Sequence, residues 1–105
     1  MKKFNSIEEI RKEIDKIDSR ILELISDRKE LVVEVVKLKS RNQIIDRKRI
    51  RTILEKLEIA AEKKKLPKGL VRSIWTLMIQ GFIKYEEKIF DEIHNKEDSK
   101  SSSDG

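Results

Sequence analysis

Residues 6–41 read SIEEIRKEIDKIDSRILELISDRKELVVEVVKLKSR, a stretch without a single proline or glycine. Its apolar side chains recur in steps of three and four: Ile7, Ile10, Ile14, Ile17, Ile21, Leu24, Leu31, Val35 and Leu38. That spacing is a heptad seam, and it predicts one long helix with its apolar stripe along one side. Asn5 or Ser6 offers an N-cap oxygen, and Glu8 and Glu9 in the first turn favour the positive end of the helix dipole. About 35 residues at ~1.5 Å each make a rod roughly 50 Å long. The rest of the chain is too short to cover such a seam, so the periodicity predicts that a second copy covers it.

Outward from this rod, Arg41-Asn42-Gln43 closes the helix, and a short loop leads into a second helix from about Asp46 to Lys64. Ile50, Ile53, Leu54, Leu57, Ala60 and Ala61 fall on one face of it. Lys65-Leu66-Pro67 interrupts that pattern, and Pro67 suits the first turn of a third helix. The third helix carries Leu70, Val71, Ile74, Trp75, Met78, Phe82, Ile89, Phe90 and Ile93, with Gly81 as a weak helix former inside it. Residues 95–105 are polar throughout and predict a disordered tail, which leaves a helical domain over 1–94. No strand pattern and no internal repeat is present. The expected fold is all-α, with three helices per chain, one long and two shorter.

Composition narrows the function classes. A chain of 105 residues holds one domain, and with 43% charged and 5% aromatic residues one copy has little core material. Without cysteine there is no disulfide or thiolate chemistry, and a reducing, cytoplasmic compartment fits. Met-Lys-Lys-Phe is followed by Asn5-Ser6-Ile7-Glu8-Glu9 where a signal peptide needs an apolar stretch, and no apolar run is long enough to cross a bilayer. The net charge of +5 raises a nucleic-acid reading, but the cations are spread along every segment and mixed with carboxylates. Arg47, Lys48, Arg49 and Arg51 lack an aromatic platform, and Lys63-Lys64-Lys65 reads as a solvated helix end. His94 is the single histidine and stands near the tail, which argues against a histidine triad or a metal cluster, so no cofactor or metal is expected. Trp75, Met78 and Phe82 share a helical stripe and read as core.

Two charges stand where the apolar pattern needs hydrophobic side chains. Arg28 interrupts the seam between Leu24 and Leu31, and Glu86 does the same between Phe82 and Ile89. A charge facing a core is costly unless paired or hydrogen-bonded. Either the two pair with each other or lie at a wet edge, or they mark a polar pocket inside a helical bundle. Lys39 leaves nearly the same helix face as Arg28, about 16 Å further along. Arg11 lies about 26 Å from Arg28 on that side, so it reaches a shared ligand only from an antiparallel partner helix. The spacing thus suits a molecule of metabolite size, gripped at opposite ends by Arg28 and Lys39 and reached by Arg11 of a second copy.

These stretches, taken in order, carry a resemblance. Ile-Arg-Lys-Glu-Ile-Asp-Lys-Ile-Asp at 10–18, Leu-Ile-Ser-Asp-Arg-Lys-Glu-Leu-Val at 24–32, Val35 with Lys37-Leu38-Lys39, and Asp46-Arg47-Lys48-Arg49 resemble the AroQ-type, all-helical chorismate mutases over roughly residues 6–93. The resemblance implies an intertwined homodimer with two equivalent sites, a cofactor-free isomerase that turns chorismate into prephenate, and a place in aromatic amino acid biosynthesis on the shikimate pathway. By matching position, Arg28 and Arg49 bind substrate carboxylates from one chain and Arg11 comes from the other. Lys39 holds the ether oxygen and a carboxylate, Val35 lines the wall, and Asp46 lies at the ring through its backbone. Glu86 stands opposite Lys39, where many members have glutamine and some have glutamate. Lys39, Glu86 and Arg28 are the expected catalytic residues.

Such chemistry needs neither nucleophile nor metal. The protein must hold one chair-like conformer and stabilise charge growing on the oxygen of the breaking C–O bond. Arginine forks suit the carboxylates, lysine supplies a donor to the oxygen, and Glu86 donates there only in its protonated form. Two positions depart from the family pattern. Ile50 stands where a glutamate usually contacts the ring hydroxyl, and Phe82 where a small hydroxyl residue is usual. Both read as core residues on apolar stripes, or as a changed ring-side pocket resembling that of the isochorismate-pyruvate lyases, relatives with the same fold. From a different class, the rival reading is a non-enzymatic helical dimer that binds a partner helix or nucleic acid through its basic faces.

Overall fold

The structure, a computed structural model, describes residues 3–103, with side chains described through residue 95. Helix α1 spans Ile7–Leu38, a 3-10 turn spans Arg41–Gln43, α2 spans Arg47–Lys63 and α3 spans Leu70–Ser103. Among the described residues there is no strand, so the all-α, three-helix reading holds. The expectation of one long helix and two shorter ones is corrected to two long and one short. α3 runs for 34 residues against 32 in α1 and 17 in α2, because its helical backbone continues past Asn95. Among the described residues no helix is long and apolar enough to cross a membrane. The chain divides into two compact units, Met1–Leu31 and Val32–Gly105.

The first unit is the front of α1. Ser6 is its cap: the Glu9 N–H donates to Ser6 Oγ at 3.2 Å, and the Glu9 carboxylate accepts from the Asn5 N–H at 2.9 Å. Two backbone donors that the helix start would leave unpaired are thereby satisfied. The seam residues Ile7, Ile10, Ile14, Ile17, Ile21, Leu24 and Leu31 are all exposed, Leu24 and Leu31 to 63% and 67%.

In the second unit α2 and α3 pack together and bury Leu54, Ile79 and Ile89, while Val36 and Ile44 complete the small core. An exposed Arg72–Glu58 ion pair at 2.8 Å links the two helices. Five buried apolar residues stand against sixteen large exposed ones among the described residues. A soluble chain seldom leaves that much apolar surface in water.

Three boundaries differ from the sequence reading. α1 stops at Leu38 rather than running into Arg41-Asn42-Gln43, because Ser40 turns extended (φ −88°, ψ 164°) and gives its N–H to the Gln43 side chain at 2.8 Å. Arg41–Gln43 then coils as its own short turn. Pro67 lies before α3 instead of inside its first turn: Gly69 adopts φ +83°, and the Leu70 N–H closes a turn on Pro67 O, so regular helix starts only at Leu70. At the other end the α3 backbone runs to Ser103, past Asn95 where the sequence suggests a tail. The side chains from 96 onward lie outside the described residues. Gly81 interrupts nothing.

α2 ends in a Schellman turn, in which Lys65 N–H bonds Glu62 O and Leu66 N–H bonds Ala61 O, both at 3.0 Å. Lys65 occupies the left-handed position at φ +57°, where a side chain costs about 1 kcal/mol and glycine is the usual occupant. Lys65→Gly is therefore expected to raise stability by about 1 kcal/mol, read as a higher urea midpoint at fixed protein concentration. An unchanged or lower midpoint would mean that the lysine side chain offsets its backbone strain.

Candidate active site

The end of α1 and the middle of α3 meet at Lys39 and Glu86, the second of which is one of the two charges that interrupt the apolar pattern. Lys39 is the first residue past α1, yet its N–H still bonds Val35 O at 3.1 Å and Val36 O at 3.3 Å, so its backbone is fixed by the helix it leaves. Its ammonium donates to Glu86 Oε1 at 2.9 Å. Glu86 sits on α3 in the register of the buried Ile79 and Ile89, and is itself only 7% exposed. A carboxylate so far from water needs a partner, and Lys39, itself mostly covered, supplies the charge. An ammonium has three donors. One is taken by Glu86, and two remain for a ligand.

Lys39 also borders an open cleft of about 620 Å³, whose walls include Val35, Asn42, Gln43, Asp46 and Arg47. Two cations and two side-chain amides on one apolar-walled cleft suit a small anion. The 3-10 turn brings Asn42 and Gln43 there, and the N-cap of α2 brings Asp46 and Arg47. The Asp46 side chain accepts the Arg49 N–H at 2.9 Å and so is committed to starting α2.

Of the residues singled out from sequence, Val35, Lys39 and Asp46 therefore gather at one cleft. Glu86 is joined to them through Lys39, and Arg49 is joined to Asp46 through the cap. Arg49 is exposed near the start of α2. Arg28, partly buried, and Arg11, exposed, belong to the first unit. Among the described residues no group of three or more His, Cys, Asp or Glu side chains is placed to hold a metal ion.

Comparison with known proteins gives the family. A sequence model of the family described as chorismate mutase type II matches residues 10–87, most of the chain. The chain belongs to that family. The chain is also similar to two curated relatives named bifunctional chorismate mutase/prephenate dehydratase, both from Buchnera aphidicola. The protein of the Schizaphis graminum symbiont is 29% identical over 87% of this chain and 24% of its own length. That of the Acyrthosiphon pisum symbiont is 30% identical over 88% and 25%. The chain thus spans about a quarter of the length of the curated relatives it matches. No solved structure gives a significant match.

Sequence reasoning passed over several neighbours of the site in this chorismate mutase family member. Asn42 and Gln43 read in the sequence only as the close of the first helix, and Arg47 only as part of a basic run and of the Asp46–Arg49 motif. His94, set aside as a helix-end residue, hydrogen-bonds Val36 O at 3.0 Å and stacks on Phe90 with ring centroids 4.0 Å apart. A signal was present: Glu86, Phe90 and His94 follow one another at steps of four, so all three share one face of α3.

Proposed function

We propose that the chain is a cofactor-free chorismate mutase, active as a homodimer, whose two pockets each take cations from both copies. The buried Lys39–Glu86 pair beside the cleft carries the reading, because Lys39 keeps two ammonium donors for a ligand and the pair stands at the positions where the family works on the ether oxygen. The reaction is one intramolecular step. The ether C–O bond breaks as a C–C bond forms between the enolpyruvyl methylene and the ring, and no proton or electron leaves the molecule. Lys39 stabilises the charge that grows on the ether oxygen, and Glu86 donates to the same atom when protonated. Arg28, Arg49 and, from the second copy, Arg11 hold the two carboxylates. Val35 walls the pocket, and the Asp46 backbone lies at the ring. Holding one chair conformer supplies the rest of the acceleration.

The exposed α1 seam supports the homodimer, since a second copy of the same stripe is its natural complement. Ile50 and Phe82, both partly buried, support a second reading in the same pocket, cleavage of isochorismate to salicylate and pyruvate, because they make the ring side more apolar than the family norm.

Incubation with chorismate and, separately, with isochorismate tests these readings. Prephenate from chorismate is the expected result. Pyruvate from isochorismate alone would replace the mutase with the lyase. No turnover of either, together with a salt-sensitive shift of DNA or RNA, would leave a binding module instead. The shared pocket has its own test. Arg11→Ala and Arg28→Ala proteins, each inactive alone, are expected to regain up to about a quarter of the wild-type rate when mixed and allowed to exchange, because half the chains form heterodimers with one intact pocket of two. Proven exchange without recovery would place Arg11 and Arg28 in the same pocket from the same chain.

A further inference from the structure

We propose that His94 is a positioning residue for Lys39, acting through the backbone of Val36; the inference rests on the reading of the Lys39–Glu86 pair as the reacting site. Val36 is completely buried in the last turn of α1, three residues before Lys39. In a continuing helix its carbonyl would accept from the Ser40 N–H. Ser40 has instead turned away to the Gln43 side chain, and Val36 O is left with the long 3.3 Å contact from Lys39 N–H and the 3.0 Å contact from His94 Nε2. A buried carbonyl needs a partner, and the imidazole provides it. Because the partner atom is a carbonyl oxygen, Nε2 must carry the hydrogen and donate.

The same ring stacks on Phe90. The Arg41 guanidinium lies 4.8 Å from the other ring partner, over Phe90, and also pairs with Asp91. Residues 36–41 are therefore fastened to α3 at three levels: Lys39 to Glu86, Val36 to His94, and Arg41 to Phe90 and Asp91. Only the first of these touches substrate in the proposed reaction. The second fixes where the Lys39 backbone leaves α1, and with it where the ammonium points. A displacement of the order of 1 Å at a reacting group is enough to cost roughly 100-fold in rate.

His94 is the only histidine in the chain, so an untagged, ¹⁵N-histidine-labelled protein reports one ring without assignment. The expected spectrum is that of an Nε2-protonated ring with a slowly exchanging N–H. A neutral ring protonated on Nδ1 overturns the proposal, and this reading stands whatever substrate the protein turns over. The kinetic arm compares two variants on whichever substrate the wild type converts. His94→Phe keeps the stack on Phe90 and removes the donor. His94→Gln places an amide N–H near the position of Nε2. The expected result is a fall in kcat of about 10-fold or more for His94→Phe, with KM changed less than about 2-fold, and recovery of most of that kcat in His94→Gln. Equal kcat in folded His94→Phe and wild type, or no difference between the two variants, refutes the positioning role. Should His94→Phe fail to fold, the ring spectrum of the wild type decides. A wild type inert toward both substrates refutes the functional reading alone.

Discussion

Replacement of Lys39 by alanine is expected to lower kcat/KM for the rearrangement by at least about 10²–10³-fold, the usual cost of removing one preorganised donor to a developing oxyanion. That variant also leaves Glu86 as a buried carboxylate without its cation, at a cost of about 3–5 kcal/mol when such a pair is broken from one side. Loss of fold and loss of chemistry would then be confused. The double variant Lys39→Ala/Glu86→Gln separates them, because it removes both charges at once. Its melting temperature is expected to recover most of what Lys39→Ala loses, while its kcat/KM stays low. Recovery of activity along with stability would show that Lys39 serves the fold and not the reaction. Glu86→Gln alone gives the complementary result. An amide keeps a donor at that position, so Glu86→Gln is expected to retain kcat within about 10-fold, whereas Glu86→Ala is expected to lose more. A folded but inactive Glu86→Gln would show that the reaction needs the carboxylate and not a donor at that position.

The second large effect concerns the seam. The nine seam side chains from Ile7 to Leu38 all stand exposed, and completing the burial of each is worth roughly 1 kcal/mol. Ile14→Asp puts a carboxylate in the middle of that stripe, twice over in a symmetric pair. It is expected to abolish dimerisation at micromolar concentration, to reduce helicity by circular dichroism, and to take activity with it. Ser19→Asp, on the opposite side of the heptad, adds the same charge and should leave mass by sedimentation, helicity and rate unchanged. A monomeric, fully helical and fully active Ile14→Asp protein would mean that one copy suffices and that the seam is covered in some other way.

Much of this was legible without coordinates. The step-three, step-four spacing and the polar residues ahead of it placed α1, and Asp46 marked the start of α2. Arg28 and Glu86 were conspicuous as charges inside apolar stripes. Other features were not legible. That α1 ends at Leu38 depends on the Gln43 side chain taking the Ser40 N–H, a bond no propensity encodes. That α3 begins at Leu70 rather than beside Pro67 depends on the positive φ at Gly69. The resemblance to chorismate mutases set Glu86 opposite Lys39, but the direct ion pair between them came only with the structure. His94, read as a helix-end residue, turned out to support the segment that carries Lys39.

The division follows the range of the forces. Helix existence, caps and the unsatisfied seam are set by residues within about four positions of one another, and the chain states them directly. The partners of Glu86 and His94 lie 47 and 58 residues away, so they depend on how α3 packs against the end of α1. Burial there excludes water from the carboxylate and from the Val36 carbonyl. Each must then find the one donor within reach, and tertiary packing alone decided which donor that was.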